Sequence, residues 1–205
     1  MKNNIPALSL AAALASVAAP ALAQSAGEWT LGFGLHSVEP KDGNGELAGR
    51  DSDVGSNAQP TITFEYFIYD NVGIEVLAAT PFEHSVRLDG LGKIGTVQHL
   101  PPVVSLQYHF NGGGKISPFV GAGLNYTVFF NEETSGALDG SRLQLEDSAG
   151  IALHAGLDYK ISERGALRAD LRWMDIESKV KLNGDNIGKV KIDPVVMGVA
   201  YVHRF

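Results

Sequence analysis

Apolar side chains return at every second position through eight separate stretches of this 205-residue chain, and the residues between them are small or polar. A period of two places the apolar set on one face of an extended strand. The stretch 71–82 is the clearest: Val72, Ile74, Val76, Ala78 and Phe82 share a face, and Gly73, Glu75, Leu77 and Ala79 form the other. A strand in a soluble sandwich hides its apolar face and shows water a polar one. Here the second face is small or mixed and carries an isolated carboxylate, the pattern of a strand with lipid on one side and a narrow lumen on the other.

The ends of the chain fit that reading. Residues 1–23 combine Lys2, an apolar run from Ile5 through Ala21, and Ala21-Leu22-Ala23 ahead of Gln24. Ser9, Ser16 and Pro20 interrupt the run and its small-residue ending suits a peptidase. A secretory signal peptide over 1–23 and one barrel domain over 24–205 are therefore expected. No other segment reaches the ~18 apolar residues of a spanning helix. Cysteine is absent, which removes disulfides and thiolate chemistry. The net charge of −7 becomes −8 once Lys2 is lost, and nothing in that balance attracts nucleic acid. At the other end Val195, Met197, Val199, Tyr201, His203 and Phe205 share a face. A terminal aromatic on an amphipathic strand resembles the signal read by the barrel-insertion machinery, although His203 departs from the aromatic usual two residues before the end.

The pattern places strands over 29–37, 60–69, 72–82, 96–110, 117–130, 147–159, 166–176 and 194–205. Short turns at 70–71, 111–115 and 160–165 alternate with long segments at 39–59, 83–95, 131–146 and 177–189. The first long segment is rich in Gly, Asp, Asn and Ser, which supply turns and build no core, so all four are read as loops. The expected fold is all-β: an eight-stranded antiparallel transmembrane β-barrel with short periplasmic turns and long extracellular loops. Closure pairs every backbone group, as lipid demands.

Four segments carry a family likeness: 71–82 (NVGIEVLAATPF), 97–102 (VQHLPP), 118–130 (PFVGAGLNYTVFF) and 174–176 (MDI). They resemble the outer membrane protein W family, which includes the alkane-uptake barrel of oil-degrading bacteria. The resemblance implies a barrel in a Gram-negative outer membrane, with a narrow, largely hydrophobic lumen associated with passage of small apolar molecules.

Inward-facing residues divide by height above the short turns. Glu65, Glu75, Asp158, Arg168, Asp170, Arg172 and Arg204 lie near the periplasmic end, and in a lumen only wide enough for side chains they must pair or stay wet. A salt-bridged periplasmic plug is expected; the alternative is a network that only fills the barrel. Arg172, two residues before Met174, belongs to that plug or marks a more polar channel. Above it the inward set becomes apolar: Leu77, Ala79, Val103, Phe129 and Met174. An alkyl chain gains ~0.8 kcal/mol per methylene on leaving water, so these are the expected contacts for small hydrophobic solutes, with plain filling as the alternative.

If the base is plugged, the exit is sideways. Pro81 on the third strand and Pro101 and Pro102 on the fourth lie at one height, and proline cannot donate to a ladder. A lateral opening there is one reading; the other is that these prolines end strands at the rim, where Pro60 and Pro194 also lie.

His36, His99, His109 and His154 have inward parity without close ligand spacing, so no metal or other cofactor is expected. His84 beside Ser85 and His154 near Ser148 offer a base near a hydroxyl, but no third group is placed to make a triad, and no enzyme is expected. Gly27-Glu28-Trp29 would suit a soluble lipocalin, whose exterior face is polar; here it is greasy on almost every strand. The expected function is passive passage of small hydrophobic molecules through the outer membrane, against a closed structural or adhesion barrel. The expected partners are outer-membrane lipid, hydrophobic solutes and the insertion machinery. The sequence leaves the oligomeric state open.

Overall fold

The computed structural model describes residues 24–111 and 114–205, so the expected signal peptide lies outside the described residues. The strands, in chain order, are β1 (Trp29–Glu39), β2 (Glu46–Leu47), β3 (Arg50–Val54), β4 (Asn57–Tyr69), β5 (Val72–Ala79), β6 (Phe82–Leu88), β7 (Gly92–Leu100), β8 (Val103–His109), β9 (Ile116–Thr134), β10 (Leu143–Leu145), β11 (Ser148–Lys160), β12 (Gly165–Met174), β13 (Glu177–Leu182), β14 (Asp185–Lys191) and β15 (Val195–Arg204).

Eight of them form the barrel. Antiparallel pairing runs β1–β4–β5–β8–β9–β11–β12–β15 and closes where β15 meets β1, with Thr30 opposite Arg204 and Glu39 opposite Val195. The C-terminal residue is tied in: Phe205 N donates to the Trp29 carbonyl at 3.0 Å, and the two rings stack at 4.0 Å. Tight connections rest on local chemistry. Asn71, in the turn between β4 and β5, has φ of 63°, a left-handed conformation that asparagine tolerates better than most residues.

The alternation resolves as expected across the barrel wall. Leu124, Leu171 and Val199 are 67%, 56% and 62% exposed on the outside, whereas Glu65, Glu75 and Gln107 are buried inside. So large a greasy exterior fits lipid and not water. Glycines let the interior close: a Cβ on Gly121 would collide with the His154 ring, and one on Gly198 with His36.

Three expectations need correction. The long segments are not turn-only loops. The β6–β7 and β13–β14 hairpins, with β2, β3 and β10, continue the wall above the barrel, β3 pairing with β6, β7 with the upper part of β9, and β14 with β2. Leu47, Val86, Ile94, Val180 and Val190 in these segments are buried and share one core with the upper lumen. The fourth strand is not continuous either, because Pro101-Pro102 divides it into β7 and β8. Phe82 is not on the lipid face. The break at Thr80-Pro81 shifts parity, so Phe82, His84, Val86 and Leu88 turn inward in β6, and Phe82 is 2% exposed.

Candidate functional site

The lower lumen is filled by an ion-pair network. Arg168 on β12 uses its whole guanidinium: Nε and Nη2 donate to the two Asp158 oxygens at 2.8 and 2.9 Å, Nη1 to Glu75 at 2.8 Å, and Nη2 approaches Glu65 at 3.4 Å. Its guanidinium carbon also lies 4.4 Å from the centre of the Phe119 ring. Arg172, two inward positions higher on the same strand, donates from Nη2 to the other Glu75 oxygen at 2.7 Å, while its Nε and Nη1 have no partner among the described residues. Arg172 is therefore part of this ion-pair network. Asp170 stands apart from the guanidiniums and lies 3.1 Å from His36 Nε2, whose Nδ1 is 2.6 Å from the Thr61 hydroxyl.

Six of the seven expected plug residues are buried in this region. Arg204 is the exception. It sits half-buried at the periplasmic mouth, where it bonds the Glu163 carbonyl at 3.2 Å and lies 3.6 Å from Glu28. The terminal position of its strand leaves it beside water, where a guanidinium needs no buried carboxylate. Missing from the expected set are Gln107, which donates to both Glu65 oxygens at 3.1 Å, and His109, whose Nε2 is 2.9 Å from Glu65. Their inward parity on β8 was the available signal.

Above the network the chemistry reverses. Leu77, Val103 and Met174 are buried together with Ala152, Ile176 and Val196, and Ala79 packs half-buried against them. Of the five expected solute contacts, Phe129 lines an apolar cavity. That cavity, small at about 20 Å³ of room for a water-sized molecule, stands higher, within the segments above the barrel, walled by Leu47, Val54, Val86, Val97, Leu143, Leu145, Val180, Val190 and Ile192 together with His84 and His99. Because it lies beyond Val104 and Val128, where the exposed greasy belt gives out, it is an extracellular cup.

The two imidazoles in its wall are held tightly. His84 Nδ1 lies against the Gly55 carbonyl, and His84 Nε2 is 2.9 Å from His99 Nε2. Burial pushes both rings down from the usual histidine range, His99 to about 3. Both are neutral at ordinary pH.

Between cup and plug one seam of the wall lacks a ladder. β5 pairs with β8 only as far as Leu77 opposite Val103, and pairing resumes where Phe82 faces His99. Between these points Ala78–Pro81 face Leu100–Pro102. Each side keeps its other neighbour, with Thr80 N donating to the Pro60 carbonyl and Tyr126 N to the Pro102 carbonyl, both at 3.1 Å. Pro101 is buried, and Pro81 and Pro102 are exposed on the seam. Among the described residues no cluster of three or more His, Asp or Glu is placed to hold a metal.

Comparison with known proteins agrees with this architecture. Residues 25–205 match the OmpW family. Outer membrane protein W of Vibrio cholerae is 37% identical over 219 residues, covering 100% of both chains. The crystal structure of OprG from Pseudomonas aeruginosa superposes with a TM-score of 0.78 at 32% identity, covering 88% of this chain and 97% of that one. A more distant relative from Pseudomonas aeruginosa, the dibenzothiophene metabolism operon protein PahQ, is 24% identical over 197 residues, covering 86% of this chain and 88% of that protein.

Proposed function

Because this chain belongs to the OmpW family and is a Gram-negative outer-membrane barrel, we propose that it passes small hydrophobic molecules inward by diffusion. They enter through the extracellular cup and leave sideways at the seam marked by Pro81, Pro101 and Pro102. The observation that carries this reading is the apolar cavity set outside the membrane above a lumen closed by ion pairs. An apolar solute reaching the cup sheds water at ~0.8 kcal/mol per methylene, whereas a polar solute finds no compensating groups. Below Phe129 the packed side chains Leu77, Val103 and Met174 offer an apolar surface past the cup floor, and Leu77 and Val103 mark the last ladder pair before the seam. Further down, the solute would have to displace Arg168 from three carboxylates, so lateral exit costs less than axial exit. The name of PahQ, with its link to dibenzothiophene metabolism, is in keeping with an apolar cargo.

The tight packing of Leu77, Val103 and Met174 supports a second reading, a closed structural or adhesion barrel. Uptake of decane into vesicles with a lipopolysaccharide outer leaflet separates the two. The native protein is expected to speed uptake, and Leu77→Arg and Val190→Arg to return it to the protein-free rate. A native rate equal to that of protein-free vesicles would leave the closed barrel.

A further inference from the structure

Above the barrel the wall keeps an outward face, and on β13 and β14 that face is a row of lysines. Lys179 and Lys189 stand opposite each other in the ladder, Lys181 and Lys191 lie two residues along, and all four are at least partly exposed. Two carboxylates lie within ion-pair distance of them among the described residues. Glu146 is 3.6 Å from Lys179 and 2.7 Å from Lys181, and Glu177 is 2.7 Å from Lys189 and 3.2 Å from Lys191. Each glutamate is thus shared by two ammonium groups, and the face keeps an excess of positive charge in a chain whose net charge is −7. The other acids of this sector stand a row lower: Glu39, Asp175 and Asp193, the last held by Lys41 at 2.7 Å. The β6–β7 hairpin differs, setting Arg87 and Lys93 against Glu83 and Asp89 with no excess.

The height of the lysines decides what they meet. The last apolar rung below them pairs Trp173 with Val195, and Glu177 pairs with Lys191 four residues further up both strands. At ~3.3 Å per residue this is no more than about 13 Å of chain. In the outer leaflet of a Gram-negative outer membrane, the sideways neighbour at that height is the phosphorylated inner core of lipopolysaccharide.

We propose that Lys179, Lys181, Lys189 and Lys191 form a docking face for lipopolysaccharide, with the phosphates of its inner core as their ligands. Ammonium groups on flexible stems suit this task, because phosphates carried on sugars arrive in no fixed orientation. The face lies on the outside of the wall and is independent of what enters the cup.

The protein in phosphatidylcholine nanodiscs, 13C-labelled at lysine Cε and at Val and Leu methyls, tests this with three probes: rough lipopolysaccharide with a phosphorylated core, lipid A without a core, and inorganic phosphate. The rough form is expected to shift the Cε signals of these lysines, and the other two to leave them in place. At low ionic strength Lys179→Gln with Lys189→Gln should weaken binding of the rough form about tenfold, and Arg87→Gln with Lys93→Gln should leave it unchanged. High salt should remove the difference. Unmoved lysines, while the Leu171 and Val199 methyls report the added lipid, would overturn the docking face. Equal shifts with lipid A would overturn the core as the ligand, and equal shifts with inorganic phosphate would leave an ordinary cationic surface. The native spectra decide even if a variant fails to fold.

Discussion

The lower lumen and the cup are built on one continuous wall, yet they invert each other. Within the membrane the strands show Leu124, Leu171 and Val199 outward and Glu75, Asp158 and Arg168 inward; above it β13 and β14 show Lys179 and Lys189 outward and Val180 and Val190 inward. The surrounding solvent sets this. Lipid accepts grease, so charge is confined inside and must pair; water accepts charge, so grease collects inside and leaves a cavity. On the proposed reading, a barrel with this inversion would offer apolar molecules a first site that is out of the water and not yet in the lipid.

The largest test of the contrast is Arg168→Leu. It leaves Glu75 and Asp158 short of a counter-charge in a dry lumen and is expected to cost about 3–5 kcal/mol in urea unfolding from lipid. Amide exchange in β13 and β14 should stay unchanged. Arg172→Leu removes one bond, from a side chain whose other nitrogens are unpartnered, and should cost clearly less. Equal losses for the two would mean that the plug is not organised around Arg168.

Next comes the outer face. Leu171→Arg puts a charge against lipid near mid-strand and should cost about 2–4 kcal/mol by the same unfolding measurement. Lys179→Leu, the reverse exchange above the membrane, should leave that midpoint in place. A comparable loss at both sites would remove the inversion.

The cup should also loosen in acid. His99 has the ordinary value of 6.5 when its hairpin opens and is held at about 3 by burial when it is closed. Below 6.5 the open form binds a proton that the closed form refuses, so stability is lost as pH falls. Exchange of β6–β7 amides, corrected for intrinsic rates, should rise by up to about tenfold per pH unit from pH 6 downward. A flat profile would mean that His99 is not buried as described. The smallest effect belongs to the exposed pairs of Glu177 with Lys189 and Lys191: Glu177→Gln should leave the urea midpoint unchanged, since water screens such pairs.

Much of the membrane part was legible, because lipid forces strict parity: Thr61, Glu65, Gln107 and Asp158 all face inward as their spacing requires. The rest failed for local reasons. Phe82 kept the right spacing from Val72, but the Thr80-Pro81 break shifted the count by one face. Arg204 shared the parity of the lumen yet stood at a strand end with water beside it. The cup was hidden by composition, since the glycines and acids of 39–59 and 83–95 outweighed Leu47, Val54, Val86 and Leu88. Two turn signals could have exposed it. Asn183-Gly184, with φ of 53° and 96°, is a two-residue hairpin turn between β13 and β14, and Asp89-Gly90 sits at the tip of β6–β7.

Transfer of magnetisation from protonated decane to a deuterated, methyl-labelled protein in nanodiscs reports directly where an apolar solute goes. Contacts at Val86, Val190 and Ile192 in the cup, continuing to Leu77 and Val103 beside the seam, are the expected result. Contacts confined to the outer belt at Leu124 and Val199, or reaching down to Ala200 and Val202 in the lower lumen, would contradict capture above the membrane with sideways release.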